Sequence, residues 1–146
     1  MQRYSDCPQI LRDFLAYHET IKGQSQRTIA EYYLDLRMFL RFVRLMRSDM
    51  PIRTRLEDIP IRDIDLEFIR EITTSEVFDF LSYLANDRNP NPDSSELALG
   101  ICASSRARKL SAIKSFFKYL TVRTKLLAEN PVADLEYPKL RKRLPK

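Results

Sequence analysis

The sequence predicts an all-α fold, a bundle of four main helices followed by a short fifth helix towards the C-terminal end. Three observations carry this. Glycine occurs only twice in 146 residues, at Gly23 and Gly100, whereas all-β folds place glycine at turn after turn. Apolar residues recur at intervals of three and four, the period of a helix with one buried face. Ser, Thr, Pro and Gly fall where those periodic segments begin and end. A chain of this length suits one domain with a real core, and 44% hydrophobic with 31% charged residues fits an ordered chain rather than a disordered one.

The first helix is expected over Asp6 to Lys22, where Ile10, Leu11, Phe14, Leu15 and Ile21 share a face. Pro8 is tolerated in its first turn and Gly23 stops it. Ser25 can cap the second helix, which runs to about Arg47 with Ile29, Tyr32, Tyr33, Leu36, Phe39, Leu40 and Val43 inside. On another side of it Arg37, Arg41 and Arg44 form a cationic stripe expected to face solvent or phosphate. Ser48 to Glu71 changes character, with two prolines and seven acids against four basic residues, and reads as a partly ordered connector. Its Ile59, Ile61, Ile64, Leu66 pattern also fits a short extended segment.

Thr73 or Thr74 precedes the third helix, which carries Val77, Phe80, Leu81 and Leu84 inward and ends near Asn86. Arg88 to Ser95, rich in Asn, Pro and Ser, reads as a loop. The fourth helix starts at Ser104 or Ser105 and ends between Thr121 and Arg123. A short helix is expected over Lys125 to Glu129, with Asn130-Pro131 as a cap. The closing YPKLRKRLPK reads as an extended basic tail.

Charge is unevenly distributed. The net charge is +5, but Ser104 to Lys146 holds 12 basic residues against 3 acids, leaving the first 103 residues net acidic. A basic C-terminal part of this kind suits a polyanionic partner. Cys7 and Cys102 fit neither a disulfide framework nor a metal-binding spacing and read as ordinary reduced thiols. With no apolar leader and no membrane-length apolar run, a cytoplasmic protein is expected. His18 stands alone in a helical segment with no second histidine, so a core or surface role is favoured over catalysis, and no metal or cofactor is implied. The tyrosines fall at helical spacings and read mainly as packing residues.

The fourth helix is the most informative segment. On a helical wheel Ser104, Arg108, Ser111, Ser115 and Lys118 form one line, opposite Leu110, Ile113, Phe117 and Leu120. Small serines between cations let a backbone approach another surface closely, while the cations reach phosphates or base edges. Ser104 to Thr121 contains no acid. Nucleic acid is the favoured partner, although periodicity does not separate DNA from RNA or from a solvated basic face.

The run SSRARKLSAIKSFFKYL, then Asn130-Pro131 and PKLRKRLPK, resembles the N-terminal core-binding domain of tyrosine recombinases of the phage integrase and Xer-like type. Ser25, Thr28, Tyr32, Leu36 and Phe39 match the same family in the second helix. The resemblance implies a SAM-like helical domain over residues 1–137, with 48–71 as an insertion. Residues 138–146 would be a basic linker to a catalytic domain outside this chain. It also implies half of a clamp on a double-stranded recombination site, with the second and fourth helices crossing the major groove. The parent would be a DNA-cleaving and rejoining enzyme whose catalytic residues lie elsewhere, and other protomers on the DNA would be partners. The expected DNA contacts are Gln26, Arg27, Thr28 and Arg37 in the second helix, then Ser104, Ser105, Arg106, Arg108, Ser111, Lys114, Ser115 and Lys118 in the fourth. Lys139 and Arg141 would follow the backbone, and Lys109 leans towards the core. The competing readings are a free-standing DNA-binding regulator and a helical protein-interaction module.

Overall fold

Proline and glycine set the limits of the first helix. The computed structural model describes residues 3–51, 54–86 and 102–138. Its first helix, α1, spans Gln9–Thr20, shorter at both ends than the sequence suggests. Pro8 is extended (φ −65°, ψ 154°) and stands before the helix, its carbonyl accepting from the Leu11 and Arg12 amides. Gly23 adopts φ +64°, the left-handed conformation that costs an L side chain most, and the chain turns there.

The second helix, α2, spans Gln26–Arg47, and the Ser25 hydroxyl accepts from the Thr28 amide at 3.2 Å, as the sequence predicts. At 22 residues it is about 33 Å long and is the axis of the bundle. It packs against α1, against α4 (Thr74–Asn86) and against α5 (Ala103–Lys118). Ile29, Leu36, Phe39, Leu40, Val43 and Leu45 are buried along it, and Phe42 packs on Phe80 and Tyr83 of α4. Aromatic edges join the layers: Phe39 meets Phe80 at 5.3 Å, and Phe14 meets Phe116 at 5.4 Å and 78°.

The described residues between α2 and α4 contribute to the core, which a connector alone would not do. It contains a 3-10 turn at Leu56–Asp58 and a short helix, α3, at Leu66–Arg70. Leu56, Ile59, Ile61, Ile64, Ile69 and Ile72 are all buried. Their near-alternation comes from successive tight turns, such as Ile59 N–H to Leu56 and Ile64 N–H to Ile61, and not from a strand. The arginines of α2 hold this segment down. Arg44 binds Asp63 and the Pro60 carbonyl, while Arg47 forms a bidentate pair with Glu76 at 2.8 Å and lies 4.5 Å over the Phe68 ring. At the start of α4, Thr73 and Glu76 bond reciprocally to each other's amides, a capping box.

α5 begins at Ala103, one or two residues earlier than expected. Cys102 is its cap residue, and Ser104 and Ser105 lie inside the first turn. After Lys118 the helix widens into a π-helical turn over Tyr119–Arg123, closed by the Thr124 amide on the Tyr119 carbonyl. The expected helix over Lys125 to Glu129 is absent: Lys125 sits at φ +56° and breaks the helical path. Leu127 and Val132 are buried there, and the Asn130 side chain accepts from the Val132 amide at 3.0 Å, capping a turn rather than a helix. The expected loop at Arg88 to Ser95 and the basic tail from Lys139 lie outside the described residues.

Candidate nucleic-acid interface

α2 and α5 run antiparallel. Asp35 of α2 meets Arg108 and Lys109 near the start of α5, and Tyr32, one turn earlier in α2, faces the same cleft as Ser115 and Lys118 near its end. The predicted contacts of α5 therefore form a line about 21 Å long from Ser104 to Lys118. Only the Lys118 end comes close to the beginning of α2.

Asp35 organises the middle of this line. It is 2% exposed and accepts from the Lys109 ammonium at 2.6 Å and from two nitrogens of Arg108 at 3.2 and 3.3 Å. Lys109 is buried, in keeping with the core-side lean read from the wheel. Arg108 is different: its side chain remains 51% exposed, so Asp35 fixes the guanidinium while the rest faces outward. Ser111 donates to the Tyr137 hydroxyl at 3.3 Å, and the Lys114 ammonium lies 4.6 Å from the centre of the same ring. Lys118 is exposed and pairs with no acid among the described residues. Ser104 is exposed and Ser105 and Arg106 half-buried at the helix start.

The arginine stripe of α2 departs from expectation. Instead of facing solvent or phosphate freely, Arg37 donates to Asp6 at 2.8 Å and to the Tyr33 hydroxyl at 2.6 Å, with its face 4.7 Å from the Tyr33 ring. Arg41 reaches the same carboxylate at 3.9 Å, and Arg44 is committed to Asp63. Burial opposes ionisation of Asp6, but the hydrogen bonds from Arg37 and Tyr33 outweigh it and hold its pKa below the ordinary value. Burial and then the Asp6 hydrogen bond push the Tyr33 hydroxyl up to about 12. In the first turn of α2, Gln26 accepts from Arg3, Arg27 is 90% exposed beside Glu31, and Thr28 bonds the Ser25 hydroxyl.

The two thiols are not equivalent. Cys7 is buried and pushed up to about 12 by burial, whereas exposed Cys102 is pulled down to about 6 by hydrogen bonds from Ser104 and Ser105. Lys139 and Arg141 lie outside the described residues. Among those residues no group of His, Cys, Asp and Glu is arranged to hold a metal, and no helix is long and apolar enough to cross a membrane.

His18 is a core residue, packed on Phe14 at 4.4 Å and on Tyr17 and Tyr32. Its Nδ1 contacts the Gln24 side-chain oxygen at 2.7 Å; that oxygen only accepts, so Nδ1 carries the proton. Burial lowers its pKa, outweighing the Gln24 bond that raises it. The unfolded imidazole then takes up its proton first as pH falls. The contribution to stability is complete above about pH 6.5 and is lost as pH drops towards the folded value. The expected result is a melting temperature that declines as pH falls below about 6.5, flattened in His18→Gln, with the single histidine titrating below 6.5 by NMR. A midpoint at or above 6.5 would contradict this.

Sequence comparison places the chain. The family described as phage integrase, N-terminal SAM-like domain, matches residues 10–125. The chain belongs to this family. The all-helical architecture of the described residues agrees with it. Relatives include tyrosine recombinase XerC of Caldanaerobacter subterraneus subsp. tengcongensis, 33% identical over 94% of this chain and 36% of that protein. XerC of Myxococcus xanthus is 32% identical over 94% of this chain and 35% of its own length, and XerD of Halalkalibacterium halodurans is 29% identical over 93% and 36%. The chain thus spans about a third of the length of the curated relatives it matches. No solved structure matches it.

Proposed function

We propose that this SAM-like domain binds double-stranded DNA at a recombination site, as half of a clamp whose other half is the catalytic domain of a tyrosine recombinase. One observation carries the reading: the outer face of α5 presents cations that no carboxylate among the described residues neutralises. Arg3, Arg27, Arg37, Arg41, Arg44, Arg47, Arg55 and Arg70 each lie against a carboxylate. Lys114 and Lys118 meet no carboxylate among the described residues, and they share the acid-free outer face of α5 with Ser104, Ser111 and Ser115. A polyanion is attracted to charge that the protein has not already neutralised.

In this reading α5 enters the major groove. Its serines allow the backbone to come close, and Arg108, oriented by Asp35, offers its exposed edge to a base or a phosphate. Lys114 and Lys118 contact phosphates, and Gln26, Arg27 and Thr28 approach the backbone from the start of α2. Ser105 and Arg106 would anchor a phosphate at the start of α5, and Lys139 and Arg141 would follow the DNA towards the catalytic domain. The cleavage chemistry belongs to the rest of the parent, which acts in the cytoplasm with other protomers on the same DNA.

The test is fluorescence anisotropy with a labelled duplex. Lys118→Ala and Arg108→Ala should each weaken binding several-fold without loss of helicity, and Lys118→Ala should also reduce the salt slope by about 1. Arg37→Ala, which removes a cation already paired with Asp6, should leave affinity within about twofold. Unchanged affinity in both α5 variants would overturn the assignment of α5 as the groove-facing helix.

A further inference from the structure

A cleft of about 320 Å³ opens where the end of α1, the start of α2 and the end of α5 meet. Lys22, Lys118 and Arg123 stand around it, and none of the residues lining it is acidic. None of these three cations pairs with a carboxylate among the described residues, and the Arg123 guanidinium is propped 5.9 Å from the Tyr17 ring centre. Neutral donors complete the lining. Ser115 and Tyr32 contribute hydroxyls, and because Gln24 accepts from His18 through its oxygen, its NH2 group faces no acceptor among the hydrogen bonds of the described residues. Cations without counter-ions, hydroxyls and an amide around one concavity form a receptor for an oxyanion.

The position of the cleft says which oxyanion. It lies at the end of the Ser104 to Lys118 line, where α5 passes into the π-helical turn. α5 has 16 residues and is about 24 Å long, while the major groove is about 12 Å wide. A helix of that length crossing the groove carries at least one end over a phosphate backbone. We infer that this cleft seats a backbone phosphate of the bound DNA, held between Lys22, Lys118 and Arg123, at the edge of the groove that α5 enters. The inference rests on the DNA-binding reading above and adds Lys22, Gln24 and Arg123 to the interface. The sequence hides this grouping, because its members come from three helix ends.

The experiment compares the wild-type chain with Lys22→Gln/Arg123→Gln and with Arg55→Gln/Arg62→Gln, which removes the same charge from the segment before α3. Binding to a labelled duplex is measured across a salt series, and the His18 ring resonances are followed by NMR as duplex is added. If the cleft holds a phosphate, the first double variant should lower the slope of log affinity against log salt by about 0.9. That corresponds to roughly eightfold weaker binding at 0.1 M salt. The control should stay within about twofold, and duplex should shift the His18 resonances in the wild type. If the wild type binds DNA but the two double variants behave alike and His18 is unmoved, the cleft assignment is overturned while the DNA-binding reading stands. If the wild type does not bind duplex at all, both are overturned.

Discussion

Asp35→Ala should be among the most damaging single substitutions in the domain, lowering stability by about 3–5 kcal/mol in urea denaturation. The carboxylate is almost completely buried, and Lys109, itself buried, depends on it at 2.6 Å. Removing one partner of a buried pair strands the other charge away from water, which costs more than the pair contributes when intact. Asp35→Leu combined with Lys109→Met should therefore recover most of the loss, because no charge is then left buried. The same double variant should still bind DNA more weakly than the wild type, since Arg108 loses the carboxylate that orients it. A loss below about 1 kcal/mol in Asp35→Ala would show that Lys109 is solvated in solution and that Asp35 does not organise the face.

Phe14→Ala should cost about 3–5 kcal/mol, a large share of the roughly 5–15 kcal/mol available to a domain. Phe14 is fully buried and is where three helices meet: its ring lies 5.4 Å from Phe116, 5.5 Å from Tyr119 and Tyr32, and 4.4 Å from His18. Truncation removes a whole ring's burial and leaves a cavity that α1, α2 and α5 are too constrained to fill. Phe14→Leu, which keeps part of the volume, should lose roughly 1–2 kcal/mol. Because His18 and Tyr32 rest on Phe14 and also line the cleft, Phe14→Ala should additionally broaden the His18 NMR signals. Equal stability of the alanine and leucine variants, by urea midpoint, would contradict this account of the core.

The elements legible in the sequence were those whose physics is local. Ser25 caps α2, Gly23 turns the chain after α1, and Thr73 with Glu76 starts α4, each within a few residues of its signal. The isoleucines between α2 and α4 read as a connector in sequence because the contacts that hold the segment, from Arg44 to Asp63 and from Arg47 to Phe68, come from far away along the chain. The short helix after Arg123 failed for a similar reason. Leu127 and Val132 are fixed by the core they enter, and the left-handed Lys125 carries no compositional mark.

The interface was half legible for the same reason. The helical wheel correctly separated Lys118 and Ser115 from Leu110 and Phe117, since that separation is intrinsic to one helix. A wheel cannot show counter-ions, so on it the Arg37, Arg41 and Arg44 stripe faces solvent or phosphate, with Arg37 the best candidate contact. Asp6, 31 residues from Arg37, is what removes them from the free charge. Nor can it show that Asp35 orients Arg108 across 73 residues, or that Lys22 and Arg123 meet Lys118 around one cleft.

The central claim is that the unpaired cations of α5 and its end hold a DNA backbone, and the salt dependence of duplex binding by the wild-type chain tests it most directly. With about four phosphates contacted, log affinity should fall linearly with log salt with a slope of roughly −3 to −4. A slope near zero would contradict the account, and would point instead to a surface on which those cations play no part in binding.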